Sequence, residues 1–461
     1  MNVWRGVARS CRDLRCFPMI QNTSHAAEGH GSLLVLALLT LIVGAAAGLV
    51  GAVFRLTLQQ ADRLRDALIA WAQGEKLAGF LFVVVTCAAA ALIAAWLVRR
   101  FSPHASGSGI PQVEAVLNEE IPQAPFQLIW VKFCGGVLAI GSGLALGREG
   151  PSVQMGASVA HVVGKVFRRE WPDCRALLAA GAGAGLATAF NAPMAGAVFV
   201  LEELVRRFEL RIAVAALGAS ATGIAVARVF LGDAPDFHVD ALAYASAEAT
   251  PLFFVLGAVA GLAATAYNRA LLEAIAAAGR LGRLPVELRA GLIGAAVGTF
   301  AWFAPSLVGG GDAITQRSLA GAETLSLLPL VFLLRFGLGT VSYAAGTPGG
   351  LFAPMLVLGA QLGLFFGLVC RLVFPDLDIQ AEGFAVVGMA AFFTGVVRAP
   401  LTGIVLVTEM TANVTMLLPM LVACFAAMLV PTLLRDAPIY DSLREHTLRH
   451  EKVVQQKTQK K

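Results

Sequence analysis

KFCGGVLAIGSGLALGREGPSVQMG, residues 132–156, has a near copy in RFGLGTVSYAAGTPGGLFAPMLVLG, residues 335–359. Both stretches begin with a basic residue and a phenylalanine, and three glycines, a proline and a fourth glycine then recur at one constant displacement. The matched positions are Gly136 and Gly339, Gly143 and Gly346, Gly147 and Gly350, Pro151 and Pro354, and Gly156 and Gly359. The chain is therefore an internal duplication.

A second set of matched residues extends the duplication toward the C-terminus. Ala192-Pro193, Gly196 and Glu202 recur, with a slightly larger displacement, as Ala399-Pro400, Gly403 and Glu409. In an apolar chain, two halves that break their helices with glycine and proline at matching places predict a transporter. Its site is expected where the halves meet.

The composition is that of a membrane protein. Hydrophobic residues make up 57% of the chain and charged residues only 14%, unlike an ordinary soluble domain. Residues 33–54 and 77–98 are uncharged runs long enough to cross a bilayer, which takes about 20 residues as a helix. After residue 126 the apolar segments are cut by Gly, Pro and single charges into shorter pieces. Such pieces are typical of re-entrant and broken helices packed inside protein.

The distribution of charge predicts the topology. Basic residues outnumber acidic ones in residues 1–32 and 441–461, so both tails are expected in the cytoplasm, and the number of crossings is even. Two halves with an odd number of crossings each are then inverted relative to one another. We predict an all-α integral membrane protein in which one transmembrane domain, 33–440, contains two inverted repeats of tilted, broken and re-entrant helices, about 33–231 and 251–434.

The remaining composition argues against several classes of site. Seven cysteines and seven histidines are scattered without a Cys-x-x-Cys or His-x-x-x-His pair, so we expect no metal site, no cofactor and no disulfide framework. The basic tails have no interleaved aromatic residues, which favours anionic membrane lipid over nucleic acid as their neighbour. The first residues contain no apolar segment before a cleavage site, and no removable signal peptide is expected.

Three glycine-rich breaks each contain a proline near the start of a predicted helix. They are Gly107-Ser108-Gly109-Ile110-Pro111, Gly147-Arg148-Glu149-Gly150-Pro151 and Gly349-Gly350-Leu351-Phe352-Ala353-Pro354. The first turn of a helix leaves backbone N–H groups unpaired and carries about half a positive charge, so converging turns bind an anion without a full cation. The alternative, close helix packing, is the better account of an isolated glycine pattern such as residues 181–185.

Glu149 lies inside one of these breaks. A carboxylate there is itself an anion that can occupy the position offered by a helix N-terminus, and protonation would release it. The alternative is a structural salt bridge with Arg148, but residues adjacent in a helix do not face each other. An ionisable group within the membrane is costly and usually functional.

Glu202 and Glu203 follow the apolar run of residues 192–201. Successive residues of a helix differ by about 100 degrees in direction, so the two carboxylates face different surroundings. Glu202 has a counterpart in Glu409, which indicates a structural role common to both halves, whereas Glu203 corresponds to Met410. The unduplicated acid, Glu203, is the better candidate for function; an ordinary interfacial charge is the alternative for either.

The three breaks and the late Pro438-Ile439-Tyr440-Asp441 resemble, in order and spacing, the signature segments of the CLC chloride channels and transporters, over about residues 33–440. The resemblance implies a homodimer with a separate anion pathway in each subunit. It implies that chloride is held by the hydroxyls of Ser108 and Tyr440 and the backbone N–H groups of Leu351 and Phe352. It further implies that Glu149 is the gating glutamate and Glu203 the internal proton acceptor.

The presence of both acids favours a bacterial chloride/proton exchanger of the inner membrane, because channel members of the family usually lack the internal one. A passive chloride channel is the nearest alternative. Fluoride export is disfavoured since Ser108 matches the chloride-type segment. An intramembrane hydrolase, the remote alternative, would need an activated nucleophile, but Ser108 and Ser142 are flanked by glycine and have no His or Lys at helical spacing. We expect no enzyme activity, and no paired cytoplasmic regulatory domains after Tyr440.

Overall fold

The computed structural model describes residues 30–244, 247–280, 282 and 284–459, and these form helices joined by short loops, with no β-strand among them. The first half comprises α1 (His30–Ala72), α2 (Lys76–Phe101), α3 (Ile110–Leu117), α4 (Gln127–Gly141), α5 (Glu149–Val166), α6 (Trp171–Phe190), α7 (Pro193–Phe199) and α8 (Leu210–Leu231). The second half comprises α9 (Thr250–Arg280), α10 (Val286–Phe303), α11 (Asp312–Leu319), α12 (Leu328–Tyr343), α13 (Phe352–Val373), α14 (Ala381–Val397), α15 (Pro400–Thr411) and α16 (Leu417–Leu433). A final helix, α17 (Ile439–Gln459), has no counterpart in the described part of the first half.

The two halves therefore correspond helix for helix, α1 with α9 through α8 with α16. The correspondence extends to the ends of helices. The short α3 and α11 both begin after a glycine in the left-handed region, Gly109 with φ 92° and Gly311 with φ 96°. Pro193 and Pro400 both begin a helix, where the missing N–H is not needed.

Helix packing is also duplicated. α5 packs on α6 as α13 packs on α14, while α2 on α10 and α7 on α15 join the halves. Close approach depends on glycine: a Cβ atom at Gly181 would collide with the backbone of Gly156, and one at Gly388 with that of Gly359. The interpretation of residues 181–185 as a packing feature is thus confirmed.

Five helical stretches of the described chain are long and apolar enough to cross a membrane. They are Leu33–Phe101, Leu210–Leu231, Thr250–Arg280, Val286–Phe303 and Phe352–Val373. The other apolar helices are shorter, as predicted for a fold of incomplete helices. The first predicted span, 33–54, is only part of α1, which continues to Ala72 because the following residues are strong helix formers without Gly or Pro.

Candidate functional site

The three glycine-rich breaks meet at the seam between the two halves. The Gly107 N–H donates to the Thr347 carbonyl at 3.1 Å, and the Gly349 N–H returns a bond of 3.1 Å to the Gly107 carbonyl. Gly147 and Gly350 exchange a pair of backbone hydrogen bonds of 2.9 and 2.7 Å. The predicted convergence of the helix starts is therefore observed.

Two buried basic side chains hold the loops of this seam. The Lys132 Nζ, fully buried, donates to the carbonyls of Ala105 and Gly107 at 3.0 and 2.7 Å. Arg335, the repeat counterpart of Lys132, donates in the same way to the carbonyls of Leu307, Gly309 and Gly310. Each half thus fixes a loop with one buried basic side chain that donates to backbone carbonyls.

Gly309-Gly310-Gly311 is a fourth break that sequence reasoning missed. It is the repeat copy of the first break, since Gly309 and Gly311 have φ of 74° and 96° where Gly107 and Gly109 have 63° and 92°. Each loop precedes an eight-residue helix. The signal was present in the matching glycine spacing, but Gly310 stands where the first half has Ser108, and Asp312 takes the place of the apolar Ile110.

Glu149 is fully buried at the centre of the seam. Its Oε1 accepts a hydrogen bond of 2.7 Å from the Phe352 N–H, at the first residue of α13. A Cβ atom at either Gly147 or Gly350 would collide with the carboxylate, and one at Gly350 would also collide with the backbone N of Gly150, so a larger residue at either position would displace Glu149. The carboxylate occupies the helix N-terminus as an anion would, and the Phe352 N–H expected to bind chloride is here bonded to Glu149.

Arg148 does not pair with Glu149. Its Nη2 and Nη1 form ion pairs with Asp236 at 3.0 Å and Asp312 at 2.9 Å, and its Nε donates to the Ala189 carbonyl at 2.8 Å. The adjacent side chains therefore point in different directions, as the geometry of a helix start requires. Arg148 joins the segment between the halves, through Asp236, to the start of α11.

The hydroxyls of Ser108 and Tyr440 are both buried, and neither has a hydrogen-bond partner of good geometry within the described chain. The two hydroxyls lie close enough for a weak hydrogen bond to each other, but not for one of good geometry. Ser108 lies against the first turn of α5, since a Cβ atom at Gly150 would collide with it. Buried hydroxyls normally have partners, and two adjacent unpaired ones offer O–H donors to an anion.

Tyr343 is a further residue of this site that sequence reasoning missed. Its hydroxyl accepts a hydrogen bond of 3.2 Å from the Ser108 N–H and thereby fixes the Ser108 loop. Only four tyrosines occur in the chain, and Tyr343 lies within the duplicated stretch, so its type and place were visible in the sequence. Its contact with Ser108 was not.

Phe352 forms the apolar wall of the site. Its ring centroid lies 6.0 Å from that of Tyr440, and further rings surround it, those of Phe190 at 6.2 Å, Phe199 at 5.8 Å and Phe393 at 4.6 Å. An apolar wall excludes water, so hydrogen bonds from the remaining polar groups become stronger. The structure thus brings together Ser108, Glu149, Phe352 and Tyr440 from four separate segments.

Glu203 lies apart from this group, in the π-helical turn Val200–Leu204 that continues α7. It is 3% exposed and borders a cavity of about 600 Å³ that is also lined by Glu202, Arg206 and Arg398. Its carboxylate Oε1 lies 3.3 Å from Arg206 Nη2. Sequence reasoning found Glu203 but missed Arg206 and its other partners.

Two smaller cavities reach the seam. One, of about 210 Å³, is lined by Gly147, Arg148, Asp312 and Ala353 on the side of Glu149. The other, of about 150 Å³, is lined by Gly107 and Tyr343. The residues next to Glu149 thus line one cavity, and the residue before Ser108 lines another.

Comparison with known proteins agrees with this arrangement. Residues 90–432 match the profile of a family described as voltage gated chloride channel. The chain is 37% identical over 426 residues to the H(+)/Cl(-) exchange transporter ClcA of Vibrio parahaemolyticus, covering 90% of each protein. It is 36% identical over 423 residues to the ClcA of Klebsiella pneumoniae, covering 90% of this chain and 89% of the other.

Solved structures show the same fold. A slow cyanobacterial Cl−/H+ antiporter superposes with a TM-score of 0.86 and 32% identity, over 92% of this chain and 99% of the other. A eukaryotic CLC transporter has a TM-score of 0.76 at 24% identity, over 90% of this chain and 74% of the other, and supports the fold alone. The predicted all-α architecture of two inverted repeats is confirmed.

Proposed function

The chain belongs to the family of voltage-gated chloride channels, and on that premise we propose that it exchanges chloride for protons across the bacterial cell membrane. Relatives that cover nine-tenths of the chain carry the name H(+)/Cl(-) exchange transporter. One structural observation carries the proposal: the Glu149 carboxylate accepts a hydrogen bond from the N–H group of Phe352, where the helix start attracts an anion. A proton acceptor and an anion therefore compete for one position.

In this proposal Glu149 is the gate. While ionised, it accepts the Phe352 N–H and blocks the anion path. Protonation removes its charge, which weakens its attraction to the start of α13, and chloride takes its place. When the proton leaves, the carboxylate returns and displaces chloride. One residue thus links the movement of both ions.

Chloride is held at the centre by the hydroxyls of Ser108 and Tyr440 and by the N–H groups of Leu351 and Phe352. The support is that both hydroxyls are buried without a partner of good geometry in the described residues. A hydrogen bond to a charged group contributes about 1.5–3 kcal/mol, more than one between neutral groups. The apolar wall of Phe352 keeps water from competing for these donors.

Protons reach the seam through Glu203, which lies apart from the chloride site and acts as the internal proton acceptor. Its burial and its place beside a cavity support this role, because an ionisable group inside a membrane protein is costly and usually functional. We propose an orientation in the membrane in which both tails and the Glu203 cavity face the cytoplasm.

We propose a homodimer with two independent pathways. Ser108, Glu149, Phe352 and Tyr440 all come from one chain, so each subunit contains a complete site. The chloride and proton fluxes through dimers containing one wild-type and one Glu149-substituted subunit test this: independent pathways give, for each ion, the average of the fluxes through the two parent proteins.

The direct test is reconstitution into liposomes with a chloride gradient and no pH gradient. Valinomycin and potassium hold the membrane potential, and an electrode records external pH. Exchange drives protons uphill, opposite to chloride. Rapid chloride movement with no proton movement would identify a passive channel and overturn the proposal.

A further inference from the structure

Arg206 is held in an unusual backbone conformation just after the π-helical turn of α7. Its φ of 54° lies in the left-handed region, which residues other than glycine adopt at a cost that surrounding contacts must offset. The π-helical turn Val200–Leu204 is closed by a hydrogen bond of 2.9 Å from the Val205 N–H to the Val200 carbonyl. π-helical turns occur frequently at functional sites. Together these features direct the Arg206 side chain back toward Glu203.

The Arg206 guanidinium contacts three carboxylates from three separate elements. Its Nη2 lies 2.7 Å from Asp441 Oδ1, 3.3 Å from Glu203 Oε1 and 3.5 Å from Glu114 Oε1. Its Nε also donates to the Glu203 backbone carbonyl at 3.2 Å. Arg444 completes the group through an ion pair of 2.8 Å with Glu114. We name Glu114, Glu203, Arg206, Asp441 and Arg444 the Arg206 cluster.

The cluster is attached to both segments that carry the unpaired hydroxyls. Asp441 directly follows Tyr440 in the first turn of α17. Glu114 lies on α3, the eight-residue helix that begins just after Ser108-Gly109. Arg444, on α17, binds Glu114 and so joins the two helices a second time. A displacement of the start of α3 or α17 would therefore change the contacts of Arg206 with Glu114 or Asp441.

The cluster contains more acidic than basic side chains. The side chains of Glu114 and Glu203 are 2% and 4% exposed, so each needs a paired cation. Three carboxylates face two guanidinium groups, with Glu120 a more distant acid at 3.8 Å from Arg444. A proton bound by Glu203 removes its attraction for Arg206, and Asp441 and Glu114 then hold the guanidinium alone.

We propose that Arg206 is a positioning residue that couples the protonation of Glu203 to the chloride-binding hydroxyls of Ser108 and Tyr440. This inference rests on the proposed exchange function. Arg206 touches neither ion. It sets where the Glu203 carboxylate lies, and it transmits the charge state of Glu203 to α17 through Asp441 and to α3 through Glu114.

A cycle of chloride-binding measurements tests the coupling at equilibrium. Glu203→Gln imitates the protonated acid, and isothermal titration gives the chloride Kd of wild type, Glu203→Gln, Arg206→Gln and the double variant. We expect Glu203→Gln to change the Kd by about fivefold or more, within the usual range of coupling between sites. That change should vanish in the Arg206→Gln background. An equal change in both backgrounds, or none in wild type, would overturn the proposal.

The reversal potential in liposomes gives a second readout that does not depend on the fraction of active protein. Arg206→Gln should shift the reversal potential at least halfway from the wild-type value to the chloride equilibrium potential. Arg206→Lys keeps the charge and should shift the reversal potential less. Arg207→Gln is the matched control, because Arg207 is the adjacent arginine and lies outside the Arg206 cluster, and it should leave the reversal potential unchanged. A wild-type value in Arg206→Gln contradicts the inference.

If Arg206→Gln does not fold, Asp441→Asn breaks the same network from α17 and should shift the reversal potential in the same direction; an unshifted value in this variant also overturns the inference. The proposed function fails in a different way. In that case the reversal potential of the wild-type protein would itself equal the chloride equilibrium potential, whatever the variants show.

Discussion

The carboxylates of Glu202 and Glu409 each cap the helix of the opposite half. Glu202 accepts the N–H groups of Leu401 and Thr402, at the start of α15, at 3.0 and 2.6 Å. Glu409 accepts the N–H groups at the start of α7, from Met194 at 3.0 Å and Ala195 at 2.8 Å. These bonds satisfy donors that a helix start leaves unpaired. The shared structural role suggested by the duplication is thereby explained.

Loss of either cap should lower stability more than function. We expect Glu202→Ala and Glu409→Ala each to reduce the free energy of unfolding by about 1 kcal/mol, the usual cost of losing a helix cap. Thermal melts of the purified protein in detergent measure this. Reconstituted Glu409→Ala should keep its proton-to-chloride ratio, and an unchanged melting temperature in both variants would contradict the capping role.

Glu203→Gln should abolish proton movement while chloride flux continues, because the amide cannot carry a proton but fills the same space. Glu202→Gln is the matched comparison, since the two residues are adjacent and only Glu202 caps α15. It should show at most a partial loss of coupling. Chloride efflux and external pH are recorded together in one liposome assay, and the opposite pattern would reverse the two assignments.

Glu149→Ala removes both the competing carboxylate and the proton carrier. Chloride flux should persist with weaker dependence on pH, and no proton should move against its gradient. The Phe352 N–H is then free to bind an anion. Normal coupling in this variant, measured by the same electrode assay, would mean that Glu149 is structural.

Ser108→Ala should change anion preference before it changes folding. The substitution removes the hydroxyl but keeps the N–H that donates to Tyr343. A hydroxyl bonded to an anion contributes about 1.5–3 kcal/mol, roughly a tenfold or larger change in affinity. Flux ratios of nitrate to chloride measure the effect. Ser106→Ala is the control, because the Ser106 hydroxyl already donates to the Gly346 carbonyl, and equal ratios in both variants would exclude Ser108 as a ligand.

Lys132→Met should destabilise the fold by about 1–3 kcal/mol, because two buried carbonyls lose their donor. Arg335→Met should act similarly in the second half. Denaturation midpoints compare these variants with Lys165→Met, a substitution at the last turn of α5. A loss no larger than that of Lys165→Met would show that the loops hold their shape without the buried basic side chain.

The sequence was sufficient to predict the duplication, the broken helices and the convergence of Gly107, Gly147 and Gly350, because glycine and proline act through local backbone geometry. The role of Glu149 as an occupant of a helix start followed from its place in a break. The Arg206 cluster could not be predicted. Glu114, Arg206 and Asp441 are far apart in the chain, and only the packing of α3, α7 and α17 brings them together.

The backbone pairing of Gly147 with Gly350 has a consequence for how such a protein could arise. Neither half alone contains both walls of the proposed anion site, since Glu149 belongs to one and Phe352 to the other. A chain of half this length would have to insert into the membrane in both orientations and pair with itself to build a pathway. Fusion of the two copies makes that pairing intramolecular and lets each copy change separately, as Glu203 and Met410 have done.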